Sequence, residues 1–160
     1  MRTVLLILMV SVLIATTAAQ AADAGPIVYR VTEAPEFFDP TDECPEGGGV
    51  ATMRTGAGLE LGTSRLCLQA VDFTCEPVCV QRQFGALTNT FAGGQIFINV
   101  VFRDVFNKDF SHARHLARGS VAGGTGAYAG STGYLQGRGS IELDPDFTPH
   151  PNLTYRVFLR

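Results

Sequence analysis

The sequence lacks the short motifs that mark the common catalytic classes. It contains no G-x-S-x-G, H-E-x-x-H or P-loop, so no motif supports a hydrolase, a metalloprotease or an NTPase. It also lacks a C-x-x-C pair, and the histidine nearest to its four cysteines along the chain is the distant His112. Zinc is therefore the disfavoured interpretation of the cysteines, and we predict no metal site.

Basic residues are neither numerous nor clustered along the chain. The chain contains twelve Lys and Arg and fifteen Asp and Glu, which gives a formal net charge of −3. The longest basic grouping is the spaced pair Arg114 and Arg118. Proteins that bind nucleic acids carry basic patches or stripes. We therefore predict no nucleic-acid partner.

Long apolar runs are confined to the start of the chain. Arg2 precedes an apolar stretch from Val4 to Ile14, and Ala19-Gln20-Ala21 offers an A-x-A cleavage site, which predicts a signal peptide over 1–21. The uncharged run 3–22 is also long enough to serve as an uncleaved membrane anchor. It ends in Ala and Thr rather than in a charged stop-transfer cluster, which favours cleavage. No second spanning run follows, so we predict a secreted, extracellular protein with no membrane attachment after cleavage.

Stretches free of glycine and proline are short, and apolar and polar residues alternate within them. The chain has 18 Gly, which disfavours helices and favours strands joined by turns. The alternating segments are 27–32, 50–54, 65–70, 78–84, 95–103, 112–121, 134–143 and 153–160. This spacing is typical of a sandwich or a barrel. We predict an all-β fold, an eight-stranded antiparallel β-barrel, because closure hides the exposed sheet edges.

The barrel is predicted to form one domain with a long loop near its start. Residues 22–48 are expected to supply the N-terminal strand and this loop, and 49–160 the rest of the barrel. The loop assignment covers Pro35 to Gly49, where Pro, Gly and Asp are frequent.

Four cysteines in an exported chain predict two disulfides. Cys67 and Cys79 each lie on the polar face of an alternating segment, and two antiparallel strands would bring them opposite one another. We therefore predict Cys67–Cys79 and, by remainder, Cys44–Cys75. The competing local pair Cys75–Cys79 requires a turn at Pro77, because four extended residues would hold the two Cα atoms about 13 Å apart.

Four polar side chains share the apolar face of their segments and are the candidates for a ligand pocket: Tyr29, Arg82, His115 and Tyr155. His115 or Arg82 can polarise a carbonyl there, and the tyrosines can position it. The alternative is structural: core tyrosines, a structural histidine, and an arginine that reaches water at a barrel end. A metal pair of His112 with His115 is disfavoured, because the two fall on opposite strand faces.

A glycine-rich segment is the most distinctive stretch of the chain. Its motif residues are Gly123, Gly124, Gly126, Tyr128 and Gly130. A dinucleotide-binding loop is disfavoured, because Gly130 falls one residue late for G-x-G-x-x-G and no helical segment follows. Physically, the glycines are suited to turns and to close approach of two strands.

This segment resembles the signature of the dirigent and allene oxide cyclase-like barrel superfamily. Upstream elements agree in order, namely Glu60-Leu61-Gly62-Thr63, Cys67, Cys79 and Gly93-Gly94-Gln95-Ile96. The likeness runs from about Val50 to the C-terminus, and the order of these elements resembles that in small secreted bacterial members of the superfamily.

The resemblance implies an eight-stranded barrel, often oligomeric, that holds an apolar small molecule without a cofactor. In plant dirigent proteins such a cavity steers the coupling of phenoxy radicals, and in the cyclases it favours one ring closure. Whether this chain is an enzyme is left open at this point. The alternative is a non-enzymatic secreted binding or surface-interaction protein, since one fold hosts many functions.

Overall fold

The computed structural model describes residues 25–160, and the predicted signal peptide lies outside these residues. The described chain forms nine strands: β1 Ile27–Val31, β2 Glu36–Phe38, β3 Gly48–Arg54, β4 Glu60–Cys75, β5 Cys79–Phe91, β6 Gly94–Phe106, β7 His112–Gly124, β8 Gly133–Leu143 and β9 Pro149–Leu159. A single 3-10 turn, Gly126–Tyr128, interrupts the β7–β8 connection. Within the described residues no helix is long and apolar enough to cross a membrane.

The strands form one antiparallel sheet that closes on itself. Neighbours follow the chain from β3 to β9, β1 pairs with β9, and β1 also meets β3 at Arg30 and Arg54. The ring therefore has eight strands, and β2 lies outside it, paired with the first half of β3. The predicted eight-stranded antiparallel barrel is confirmed, and each predicted segment overlaps one barrel strand.

The loop predicted from Pro35 to Gly49 is wrong in part. Residues 36–38 form β2 and β3 already begins at Gly48, so only the part between them is irregular. Gly48 permits this close pairing, because a Cβ on it would lie 2.1 Å from the Leu66 carbonyl oxygen and 2.5 Å from the ring of Phe38. The sequence of this segment predicted a loop because turn residues flank a strand of only three residues.

The predicted disulfide pairing is also wrong. The bonds are Cys44–Cys67 and Cys75–Cys79, so the competing local pair is the one that forms. β4 and β5 extend beyond the rest of the ring, which places Cys75 opposite Cys79 at the hairpin end and Cys67 opposite Ala86. Cys67 does face outward, as expected, and the loop that carries Cys44 covers it.

The barrel interior is filled at one end. Buried apolar side chains pack there, including Met53, Ile96, Ile98, Leu135 and Val157, each at most 1% exposed. We call this the closed end; the 3-10 turn and the β3–β4 and β5–β6 turns lie there. The opposite end, where the β4–β5, β6–β7 and β8–β9 hairpins turn, is called the mouth.

Candidate functional site

The interior opens into a cavity at the mouth. Its volume is about 330 Å³, and most of its wall is apolar, with side chains such as Leu66, Leu87, Phe102 and Leu153. Small-molecule sites typically have volumes from about 300 Å³ upward and apolar walls with a few placed polar groups. The cavity is therefore at the lower end of the volume range for a ligand site.

Three buried side chains form a hydrogen-bonded chain in the cavity wall. His115 Nδ1 lies 2.6 Å from Asp104 Oδ1, and His115 Nε2 lies 3.0 Å from the Tyr155 hydroxyl. Each of the three residues is at most 6% exposed. They come from β6, β7 and β9, and each occupies an inward position of its strand.

A second buried network crosses the barrel beside the first. Ser64 Oγ donates to Asn89 Oδ1 at 2.8 Å, and Asn89 Nδ2 donates to the Tyr29 hydroxyl at 3.0 Å. Tyr29 is paired with Tyr155 in the β1–β9 register and stacks on its ring. Polar groups in the interior are thus satisfied by one another, as buried polar groups must be.

The two tyrosines remain protonated at neutral pH. Burial raises the pKa of Tyr155 well above its usual value, and the nearby Tyr29 and the Asp104 carboxylate add to the increase. Burial also raises the pKa of Tyr29, against the opposing effect of its hydrogen bonds with Asn89 and Ser64. These side chains therefore act as phenols, not as tyrosinate bases.

One arrangement of protons satisfies the whole chain of three residues. If the Tyr155 hydroxyl donates to His115 Nε2, the neutral imidazole carries its proton on Nδ1 and donates it to the Asp104 carboxylate. The Tyr155 oxygen then keeps a free lone pair, and Tyr155 lines the cavity. It can accept a hydrogen bond from a hydroxyl group of a ligand.

Three of the four predicted pocket candidates come together. Tyr29, His115 and Tyr155 are buried in the barrel, and the last two line the cavity. Arg82 does not join them, so its predicted inward placement is wrong: it faces outward and lies 3.5 Å from Asp72, with half of its side chain exposed.

The error at Arg82 is an error of strand phase. The prediction followed the apolar residues of 78–84, but β5 continues to Phe91 and its inward positions run through Leu87 and Asn89. Gln81 and Gln83 are therefore the residues that line the cavity. In β4, which forms the same hairpin, a register shift between Leu68 and Ala70 changes which residues face inward.

Sequence reasoning missed Asp104, Asn89 and Ser64. Asp104 continues the inward alternation of Phe102 by two residues, just past the predicted end of that strand. Asn89 follows Leu87 in the same way on β5. Extending the alternation of 95–103 to the next turn residue would have found Asp104. Extending that of 78–84 would not have found Asn89, because the predicted inward phase of that segment was reversed.

The glycine motif lies at the closed end, away from the cavity. Tyr128 packs against Phe91 with ring centroids 5.6 Å apart. A Cβ on Gly124 would lie 2.5 Å from the Gln95 carbonyl oxygen, and Gly126 has a φ of +59° with the Gly93 carbonyl oxygen 2.3 Å from its Cβ position. The motif thus allows the β5–β6 and β7–β8 turns to pack together, and it contributes no side chain to the cavity wall.

No group of three or more metal-ligating side chains is clustered within residues 25–160. Comparisons with protein-family models, with curated proteins and with solved structures gave no match to this chain.

Proposed function

We propose that the protein is a secreted barrel of the dirigent or allene oxide cyclase-like type. It binds a hydrophobic small molecule in the cavity and steers the coupling or cyclisation of that molecule without a cofactor. The observation that carries the proposal is the apolar cavity with the Asp104–His115–Tyr155 chain in its wall. The glycine motif and its position in the turn before β8 support the likeness to that superfamily.

The size of the cavity limits the ligand. Its volume of about 330 Å³ is roughly twice that of the ~150 Å³ cavity that holds benzene. A single molecule of one or two rings, or an unsaturated chain of similar volume, fits this space. The apolar wall favours its burial through the hydrophobic effect, and a shaped wall can hold one reactive conformer in preference to others.

The polar chain gives such a ligand an orientation. A ligand hydroxyl can donate to the Tyr155 oxygen, which places the rest of the ligand against the apolar wall. If that hydroxyl loses its proton during the reaction, the proton can pass to the Tyr155 oxygen as the Tyr155 proton moves to His115 Nε2. The Asp104 carboxylate stabilises the imidazolium that forms.

Extracellular location is part of the proposal. The two disulfides are consistent with an oxidising, extracellular compartment. The predicted leader over 1–21 supplies the export signal. N-terminal sequencing of protein recovered from the culture medium tests both points, because cleavage is expected after Ala21 or within three residues of it.

Binding is tested with prodan, an uncharged fluorescent dye built on the two rings of naphthalene, and a cavity-filling variant. Ala113 is buried and lines the cavity, so Ala113→Leu adds volume where the ligand would lie. Ala122→Leu, on an exposed position of the same strand, is the matched control. We expect the first variant to weaken dye binding about tenfold or more and the second to leave it unchanged. Equal binding by both variants would contradict a ligand site in the cavity.

Steering is tested separately, with a para-hydroxyphenyl propenol oxidised to its phenoxy radical by an added one-electron oxidant. An excess of one enantiomer of the coupled product, lost in Tyr155→Phe, supports steering. A racemic product despite tight binding favours the second candidate, a non-enzymatic binding protein. Exposed aromatic side chains around the mouth, Phe37 at 71% and Phe147 at 68%, favour that candidate as a surface that contacts partners.

A further inference from the structure

The outer face of the barrel carries a group of arginines that the linear sequence keeps apart. They lie at outward positions of four neighbouring strands, and we call them the arginine face: Arg103 on β6, Arg114 and Arg118 on β7, Arg138 on β8 and Arg156 on β9. Strand register sets their spacing. Arg118 and Arg156 both pair with Gln136, and two strand spacings separate them by about 10 Å.

The positive charges of the arginine face are not neutralised by carboxylates. Among residues 25–160, two arginines form ion pairs, and neither belongs to the arginine face. Arg54 lies on β3, and Arg82, which pairs with Asp72, is the β5 neighbour of Arg103 at the edge of this face. The outward positions of β6 to β9 hold one carboxylate, Glu142, and it pairs with His112 near the mouth. A barrel that needed only solubility would intersperse both signs, because like charges on neighbouring strands repel.

The densest group of acidic residues lies on the other side of the barrel. Six of them fall within 33–46, the segment that carries β2 and covers β3 and β4. In the ring, β4 lies four strands from β8, so this segment is opposite the arginine face. The charges are therefore distributed unevenly around the barrel, although the formal net charge is only −3.

The residues beside Arg118 and Arg156, on the side of the closed end, suit a carbohydrate. Tyr134 and Phe158 stack at 4.5 Å on the outer surface and offer a flat aromatic platform for a sugar ring. A shallow groove of about 510 Å³ crosses β4 to β7 beside them, and Asn99, Arg118 and Ser120 are among its lining residues. Guanidinium groups bind carboxylates with two parallel hydrogen bonds, and the amide and hydroxyl groups nearby can bond sugar hydroxyls.

We propose that the arginine face binds an extracellular polysaccharide that carries carboxylates, such as a polyuronate. The site is separate from the cavity and does not depend on the cavity ligand. It would hold the secreted barrel on an acidic cell-surface or extracellular polymer. The negative net charge disfavours nucleic acid as the occupant.

The test uses polygalacturonate, with dextran as the neutral polymer, and the intact mature protein in affinity electrophoresis and titration calorimetry at low salt. We expect binding to polygalacturonate and none to dextran. Arg118→Gln with Arg156→Gln should weaken binding about tenfold or more. The matched control is Arg54→Gln with Arg65→Gln, which removes the same charge from the opposite side and should change affinity by less than about twofold.

Two further variants separate recognition from simple charge attraction. Arg118→Lys with Arg156→Lys keeps the charge but removes the planar fork, so it should recover only part of the affinity. Tyr134→Ser leaves the charge unchanged and should weaken binding if a sugar ring stacks there. Equal losses in the two arginine-to-glutamine pairs would overturn the proposal, as would tighter binding to a double-stranded oligonucleotide or to phosphatidylglycerol vesicles. Circular dichroism of each variant establishes that the barrel is folded.

Discussion

Tyr29 and Tyr155 stack with ring centroids 5.1 Å apart and ring planes 23° apart. The stack joins two hydrogen-bond networks, because Tyr29 accepts from Asn89 and Tyr155 meets His115. A polar layer therefore crosses the barrel between the apolar closed end and the cavity. Within this layer each side chain fixes the position of the next, which is what a site that orients a ligand requires.

Loss of the Tyr155 hydroxyl should destabilise the barrel without changing its shape. We expect Tyr155→Phe to lower the free energy of unfolding by about 1–2 kcal/mol, because the buried His115 Nε2 loses its partner. Tyr134→Phe is the control, since Tyr134 lies exposed on the outer face, and it should change stability by less than about 0.5 kcal/mol. Urea unfolding measures both, and an equal effect of the two changes would contradict the network.

Gly137 leaves room for the Tyr155 ring. A Cβ at position 137 would lie 2.4 Å from Tyr155 Cδ1 and 2.8 Å from the Ala117 Cβ. We expect Gly137→Ala to displace the ring and to cost about 1–3 kcal/mol through overpacking. Gly56→Ala, where a Cβ meets nothing within 4 Å, should be close to neutral. Thermal unfolding of the two variants gives the comparison, and a neutral Gly137→Ala would mean that the ring has space to move.

The two disulfides should differ in their contribution to stability. Cys44–Cys67 spans 23 residues and Cys75–Cys79 spans four. Chain entropy alone predicts a loss of about 3.5 kcal/mol for the first and about 2 kcal/mol for the second when each pair is changed to Ala. Burial of Cys44 adds to the first loss. Peptide mapping without reductant checks the pairing itself, and a Cys67–Cys79 peptide would contradict it.

Alkaline pH should unfold the barrel. The pKa values of Tyr29 and Tyr155 are raised in the folded state above the ordinary value of 10.0. As the pH rises, the unfolded chain therefore releases these protons first. The contribution of the two protonated tyrosines to the free energy of unfolding is complete below about pH 10 and is lost as the pH rises above it. The slope approaches about 1.4 kcal/mol per pH unit for each tyrosine. Tyr29→Phe should make the fall of the free energy of unfolding with pH less steep. Tyrosinate absorbance and circular dichroism, recorded together, measure this.

Most of the fold follows from local pattern. Alternation and glycine spacing located all eight barrel strands, and the inward phase was right for Tyr29, His115 and Tyr155, because these three lie within regular alternation flanked by apolar residues. Local pattern was misleading in 78–84, where apolar residues face outward on an extended hairpin. Phase there is set by how β5 continues through Leu87 and Asn89 into the ring.

By itself, the sequence determined the class of fold and the inward position of three of the four pocket candidates. Only the tertiary structure decided which cysteines pair, that Asp104 completes a chain with His115 and Tyr155, and that scattered arginines form one face. The physical reason is register. Alternation tells which side of a strand a residue occupies, but its neighbours across the sheet depend on where every hairpin turns and on how the ring closes.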